Sequence, residues 1–504
     1  MPRLGLLMLV FGMVWLWLLA ATSRVAPVDN LEQLAWVRSI EWGYYKHPPL
    51  PTWLLAPLQA VFGPSEWLTY VLGAGVTLLS LSLFWGLLRS MRGSAYATVA
   101  LLAVLCITFY NGRLYYYNHN VVMLLCSVLV VALLWRLTLR PSLWGWAGIG
   151  LLMGLGMLAK YQIVIAGTCV GLWWLHMRWW RHPTHRAGAV LAVGIASAVF
   201  WPHLQWLWAN DWMPLRYADS TSIGVHMHWS RRPLHALVWV ADWLLNRSLP
   251  AWILLALAFW WAARQRVPAA VAAADGSDRA RWSRQFLLLW GSVPTLFMVT
   301  MALVGGVDLQ KHWGTAFILW SVPMVMEWLA ARGRRVSLEV VRTAWPIFAL
   351  VQMVLLLQYW AASPHGLPGY KVRQWHHFPA GKLARTVAPE ARKALGGPID
   401  IISGPHDVAQ AIAIRLPEKP RVLISGELKY SPWIQASELK TARVIEVFPA
   451  RELPPDGRWA FLGWAWRPGV SELSDLSVSD WRRMRQRPDL VDWKLPRKSG
   501  APPS

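Results

Sequence analysis

Eleven apolar runs, read near 4–22, 67–90, 95–110, 120–138, 143–159, 162–178, 187–208, 247–264, 285–304, 313–331 and 343–362, constrain this chain more than any other feature. A membrane span needs about 20 predominantly apolar residues, within a range of roughly 17–25. The expected fold class is therefore mostly α, a polytopic membrane protein of about eleven transmembrane helices. Composition agrees, because 56% hydrophobic and only 15% charged residues, with a mean hydropathy of +0.33, exclude an ordinary soluble domain. The first run follows Arg3 and ends in Ala20-Ala21-Thr22, a signal-peptide pattern. Its length, and the need of the later helices to keep their orientation, favour an uncleaved first helix.

The connections alternate in charge. Arg89/Arg92, Arg136/Arg140, Arg178/Arg181/Arg186, Arg264/Arg266/Arg279/Arg281/Arg284 and Arg332/Arg334/Arg335/Arg342 all fall on one side. By the positive-inside bias that side is the cytoplasm, and the N-terminus is expected there too. The net charge of +23 thus sets topology and implies no nucleic-acid partner. The 38 Trp suit interfacial belts, with some left to fill the core. Cys106, Cys126 and Cys169 lie in apolar runs and read as buried hydrophobes.

The transmembrane part is expected over 1–362, with periplasmic loops 23–66, 111–119, 209–246 and 305–312 and a tight turn at Lys160-Tyr161. Segments 50–62 and 231–246 read as interfacial helices. From 363, after the SPHGLPGY junction, composition becomes that of a soluble domain, so 363–504 is expected as a small extracytoplasmic α/β domain. Its strands read near 399–402, 422–424, 444–447 and 459–464, its helices near 381–395 and 407–416, and its end from Pro488 reads as frayed.

Chemistry concentrates in the loops opposite the arginines. Asp29, Glu32, Glu41, Lys46 and His47 share the stretch 25–55, stiffened by Pro48-Pro49 and Pro51. Most surface carboxylates are merely solvated, but Tyr44, Tyr45, Lys46 and His47 offer rings and donors that a plain connection does not need. The run NGRLYYYNHN at 111–120 again gathers Arg113, Tyr117, Asn118 and His119. It reads either as an aromatic belt with helix caps or as a sugar site. Lys160 is a snorkelling lysine or a partner for an anionic head group, as are Arg216, Arg231, Arg232 and Lys311. His226-x-His228 and His312 could ligate a metal, although no third ligand is evident.

Asp29 followed fourteen residues on by Gly43-Tyr44-Tyr45-Lys46-His47-Pro48-Pro49 resembles the first-loop signature of bacterial GT-C type membrane glycosyltransferases. These are relatives of the protein O-mannosyltransferases and of the lipid A aminoarabinose transferase, in which an acidic residue or pair precedes GYYDHPP. GLGMLAKYQ at 154–162, FWPHLQWLWANDW at 200–212 and KHWGTAF at 311–317 are similar to further family pieces. The chain departs from the pattern in having Asp29-Asn30 for the acidic pair and Lys46 where many members have an acid.

The resemblance implies a hexosyl or pentosyl transferase that moves a sugar from a polyprenyl-phosphate donor to a lipid A or lipopolysaccharide, glycan or protein acceptor at the periplasmic face. It implies Asp29 as the catalytic carboxylate, with Glu32 its rival, and Lys160, Arg113 and Arg216 as partners of the donor phosphate. Tyr44, Tyr45, Lys46, His47, Tyr117, Asn118, His119, Tyr161, Lys311 and His312 are the further binding residues expected. Membrane lipids are the remaining partners, no residue is assigned to a metal, and a divalent cation is left open. The competing reading is a polytopic transporter or lipid flippase, against which stands the absence of inverted repeats and of polar residues at mid-membrane.

Overall fold

A computed structural model of the chain describes residues 2–224, 227–264, 277–367, 375–449, 459–461 and 464–468. His226, Arg266, most of the junction after Leu367 and the polar end from Pro488 lie outside the described residues. Helices come in the order α1 (Pro2–Thr22), α2 (Val28–Trp36), α3 (Leu50–Phe62), α4 (Glu66–Leu105), α5 (His119–Leu139), α6 (Leu143–Ala159), α7 (Val164–His176) and α8 (Pro183–Ala209). The chain continues through α9 (Met213–Ala218), α10 (Arg232–Ala241), α11 (Leu249–Arg264), α12 (Asp278–Leu303), α13 (Ser321–Ala331) and α14 (Leu338–Ala361).

Each of the eleven apolar runs contains a helix, although 95–110 leaves it after Leu105 and 313–331 enters α13 only at Ser321. Six of these helices are long and apolar enough to cross a membrane, or seven if residues 229–247 and 249–264, bent by 55°, form one span. The expected eleven therefore include shorter helices, because α6 and α7 are parted by Lys160 in an extended conformation. The 40-residue α4 is broken at Gly93, whose φ of 86° favours glycine. That break divides the two runs expected at 67–90 and 95–110.

The chain divides into two compact units. The first comprises Met1–Leu16, Trp42–Pro51 and Gly73–Gln358. In it α6 and α8 meet through small residues, and a Cβ on Gly150 would stand 2.5 Å from the Ala192 carbonyl oxygen. Trp135, Trp173, Trp290 and Trp320 are fully buried, so part of the tryptophan content is core. The three cysteines are buried and unbridged. Arg92 clamps Glu327 with two hydrogen bonds of 2.9 and 2.7 Å, the bidentate geometry that suits a guanidinium to a partly buried carboxylate.

The second unit comprises Trp17–Glu41, Thr52–Leu72 and Tyr359–Ser504. It holds α15 (Ala380–Leu395), α16 (His406–Ala413) and strands β1 (Ile401–Gly404), β2 (Arg421–Ile424), β3 (Val444–Pro449), β4 (Trp459–Phe461) and β5 (Trp464–Pro468). The sheet order is β2-β1-β3-β5-β4, with β1 parallel to β2 and β3, and β5 antiparallel to β3 and β4. The small α/β fold agrees with the expectation in kind, but the run at 459–464 is two antiparallel strands, with Ala460 opposite Ala465. Arg415 ties this sheet region to the early chain, donating to Glu66 at 2.9 and 3.0 Å and to the Arg24 carbonyl at 2.8 Å.

Candidate active site

The segment Trp42–Pro51 is held by contacts that leave little freedom. Tyr44 and His47 close a turn by exchanging backbone hydrogen bonds of 3.0 and 3.2 Å. Gly43 has no room for a side chain, since a Cβ would stand 2.4 Å from the Trp206 ring and 2.9 Å from His203. His203 Nδ1 pairs with the Trp42 carbonyl, which can only accept, so this nitrogen carries the proton. In the neutral ring Nε2 then accepts the Tyr161 hydroxyl at 2.7 Å. Three separate motifs, around Gly43, Lys160 and Pro202, thereby meet at one histidine. Gly43→Val is expected to dislodge the loop and lower the melting temperature of the purified protein, by the 1–3 kcal/mol or so that overpacking costs.

Cations gather on this frame. The Lys46 ammonium, on a side chain 9% exposed, faces the rings of Tyr45 and Tyr217 at 5.2 and 5.4 Å, a distance at which a ring quadrupole attracts a cation. The His47 ring lies 4.0 Å from that of His119. Asn118 caps α5 by accepting from the backbone N–H groups of Asn120 and Val121 at 3.0 and 3.2 Å, which fixes His119 as the first residue of the helix. The Lys160 ammonium donates to Asn120 Oδ1 at 2.7 Å and lies 5.9 Å from the Trp313 ring. Burial first, and then the charges of His119, Lys160, Lys46 and His312, hold the His47 imidazole well below its usual range. Chemically the arrangement can attract an anion, since it gathers the Lys46 and Lys160 ammonium groups with the imidazoles of His47, His119 and His312.

The other expected residues divide. Tyr44 and Tyr45 are buried in the loop, and Tyr117 donates its hydroxyl to the Pro51 carbonyl at 2.6 Å. Arg113 is half-buried over Tyr116. Arg216 is exposed on α9, Lys311 is exposed next to His312, and Arg232 is engaged with the carbonyls of Met227, Leu303 and Val304. His228 pairs with Ser230 at 2.8 Å. Among the described residues no group of three or more His, Cys, Asp or Glu is set to hold a metal.

In the second unit the two carboxylates stand on the short helix α2 and not in an open loop. Asp29 occupies its first turn and is half-buried. Glu32 is 3% exposed and lies 3.6 Å from His406 at the start of α16. Around them Asn30 donates to Thr69 at 2.8 Å, and Thr52 to Gln33 at 2.8 Å. Sequence reasoning gave no role to His203, Tyr217, Trp313 and His406, although His203 and Trp313 lie within the FWPHLQWLWANDW and KHWGTAF pieces; Asn120 stood in the polar run 111–120 without an assigned role.

A protein-family profile described as dolichyl-phosphate-mannose-protein mannosyltransferase matches residues 46–206. The lipid A galacturonosyltransferase RgtD of Rhizobium johnstonii is 22% identical over 69% of this chain and 71% of its own length. The lipopolysaccharide core galacturonosyltransferase RgtA of the same organism is 22% identical over 83% of this chain and 81% of its own. Among solved structures, ArnT from Cupriavidus metallidurans in the apo state superposes with a TM-score of 0.56, and ArnT bound to undecaprenyl phosphate with 0.58. Each is 15% identical and aligns over 93% of this chain and 98% of the other, which establishes the shared fold. Profile, relatives and fold thus agree with the resemblance carried by the GYYKHPP loop, and the chain is similar in sequence and in fold to GT-C type membrane glycosyltransferases.

Proposed function

We propose that this glycosyltransferase takes its sugar from a polyprenyl-phosphate donor and transfers it to lipid A or the lipopolysaccharide core at the periplasmic face of the inner membrane. The observation that carries the reading is the cluster of Lys46, His47, His119, Lys160 and His312, an anion site of the kind a lipid phosphate requires. In the reaction an acceptor hydroxyl oxygen bonds to the anomeric carbon, the bond from that carbon to the phosphate oxygen breaks, and the phosphate keeps the electron pair. The hydroxyl proton passes to a carboxylate, for which Asp29 is the candidate because it holds the acidic position of the motif. Lys160 is the cation assigned to the charge that develops on the leaving phosphate.

The relatives' names make a uronic acid the first donor to try. Purified protein is incubated with lipid A and a panel of undecaprenyl-phosphate sugars, and the products are weighed by mass spectrometry. Transfer from at least one member supports the reading, and no transfer from any of them to lipid A, or to core lipopolysaccharide supplied in a parallel incubation, overturns it. Orientation has its own test: a reporter active only in the periplasm should work when fused at residue 504 and fail at 270, and the reverse would place the arginine loops outside.

A further inference from the structure

At the ends of α11 and α13 an open groove of about 600 Å³ lies in the first unit. Its floor is apolar, with Leu255, Phe259, Trp260 and Trp328, and its rim carries Arg332 and Arg334. The guanidinium of Arg332 lies 3.5 Å from the Trp328 ring and that of Arg264 lies 3.9 Å from the Trp260 ring, with both tryptophans exposed. Local structure explains the rim. Gly333 at φ 80° ends α13 in the left-handed conformation, with the Gly333 N–H on the Ala330 carbonyl and the Arg334 N–H on the Leu329 carbonyl, which folds Arg334 back over the last turn.

No carboxylate lines the groove, and among the described residues Arg264, Arg332 and Arg334 have no acidic partner. The acids of neighbouring helix ends are already engaged: Glu327 by Arg92, Asp278 by Arg281 and Glu339 by Arg342. Tryptophan sits at head-group level in membrane proteins, and a planar guanidinium matches a phosphate diester in two-point contact. We infer that this groove binds an anionic diacyl phospholipid, with an acyl chain along Leu255 and Phe259 and the phosphate between the arginines. An apolar floor that excludes water, ending in unpaired cations at aromatic depth, fits the two ends of such a lipid and no soluble anion.

The test uses the full chain, stripped of lipid in detergent and exchanged against equal amounts of palmitoyl-oleoyl phosphatidylglycerol and phosphatidylcholine, with retained lipid counted by native mass spectrometry. The parent should retain the anionic lipid in about tenfold excess or more, since each basic residue near a membrane surface is worth a factor of about five. R264Q/R332Q/R334Q together should abolish the preference, and Arg342→Gln, whose residue is occupied by Glu339, should keep it. Should the triple variant fail to purify, the exposed Arg334→Gln alone should lower the preference about fivefold. Equal retention by the parent, or an undiminished preference in the arginine variants, overturns the inference. So does displacement of phosphatidylglycerol by equimolar polyprenyl phosphate, which would make the groove a donor site.

Discussion

Asp29→Asn is expected to abolish sugar transfer while leaving expression and folding intact. The substitution keeps size and removes charge and basicity, and Asp29 is half-buried in the first turn of α2. General-base assistance is typically worth about 10²–10⁴ in rate, and the measured loss of kcat should fall in that range or beyond it. Glu32 behaves differently because it is buried 3.6 Å from His406. Removing one partner of a buried pair costs folding free energy before it costs rate. Glu32→Gln should therefore lower the melting temperature more than it lowers turnover. A rate for Asp29→Asn within about threefold of the parent, far short of the ~100-fold minimum for a lost general base, would remove Asp29 from the mechanism.

Lys160→Ala is expected to cost about 10²–10³ in kcat, the usual loss when a preorganised donor to a developing anion is removed. Asn120 Oδ1 at 2.7 Å and the Trp313 ring hold the ammonium in place before substrate arrives, so little reorganisation is left for the reaction. Lys160→Arg should restore part of the rate, since a fork meets a phosphate with different geometry. Burial first, and then the charges of His119, Lys160, Lys46 and His312, hold His47 well below its usual range, which leaves it neutral at physiological pH. An unfolded imidazole takes up a proton near pH 6.5 or so, and folded His47 does so only at lower pH, so the unfolded state binds more protons as pH falls. Stability contributed by His47 is thus present above about pH 6.5 and lost as pH drops below it. Thermal melts of the parent should fall more steeply between pH 7.5 and 5.5 or so than those of His47→Gln. Parallel slopes would show that His47 does not titrate as the cluster requires.

Much of this arrangement was legible in the residues, and the part that was not has physical causes. Apolar run length reports helices well, and each of the eleven runs contains a helix, but it does not say how much of each helix crosses a bilayer. The short α6 and α7 on either side of extended Lys160 are the instance. The GYYKHPP loop announced itself by its chemistry. His203 stood within the FWPHLQWLWANDW piece, but its role emerges only when α8 presents it to the Trp42 carbonyl and the Tyr161 hydroxyl. Arg216 and Lys311 were selected on sign of charge alone, and both are exposed, whereas Lys46, which departs from the family pattern, is buried among aromatic rings. His406 lies 374 residues from Glu32, a separation that no local pattern bridges.

The account rests on bond cleavage at the anomeric carbon with a lipid phosphate leaving. The direct measurement follows both products in one reaction: purified protein, a polyprenyl-phosphate sugar and lipid A, with released polyprenyl phosphate and glycosylated lipid A quantified over time. Equimolar release of lipid phosphate and gain of sugar, both lost in Asp29→Asn, is the predicted result. Movement of intact donor across a vesicle bilayer without release of lipid phosphate would contradict it and return the chain to the flippase reading.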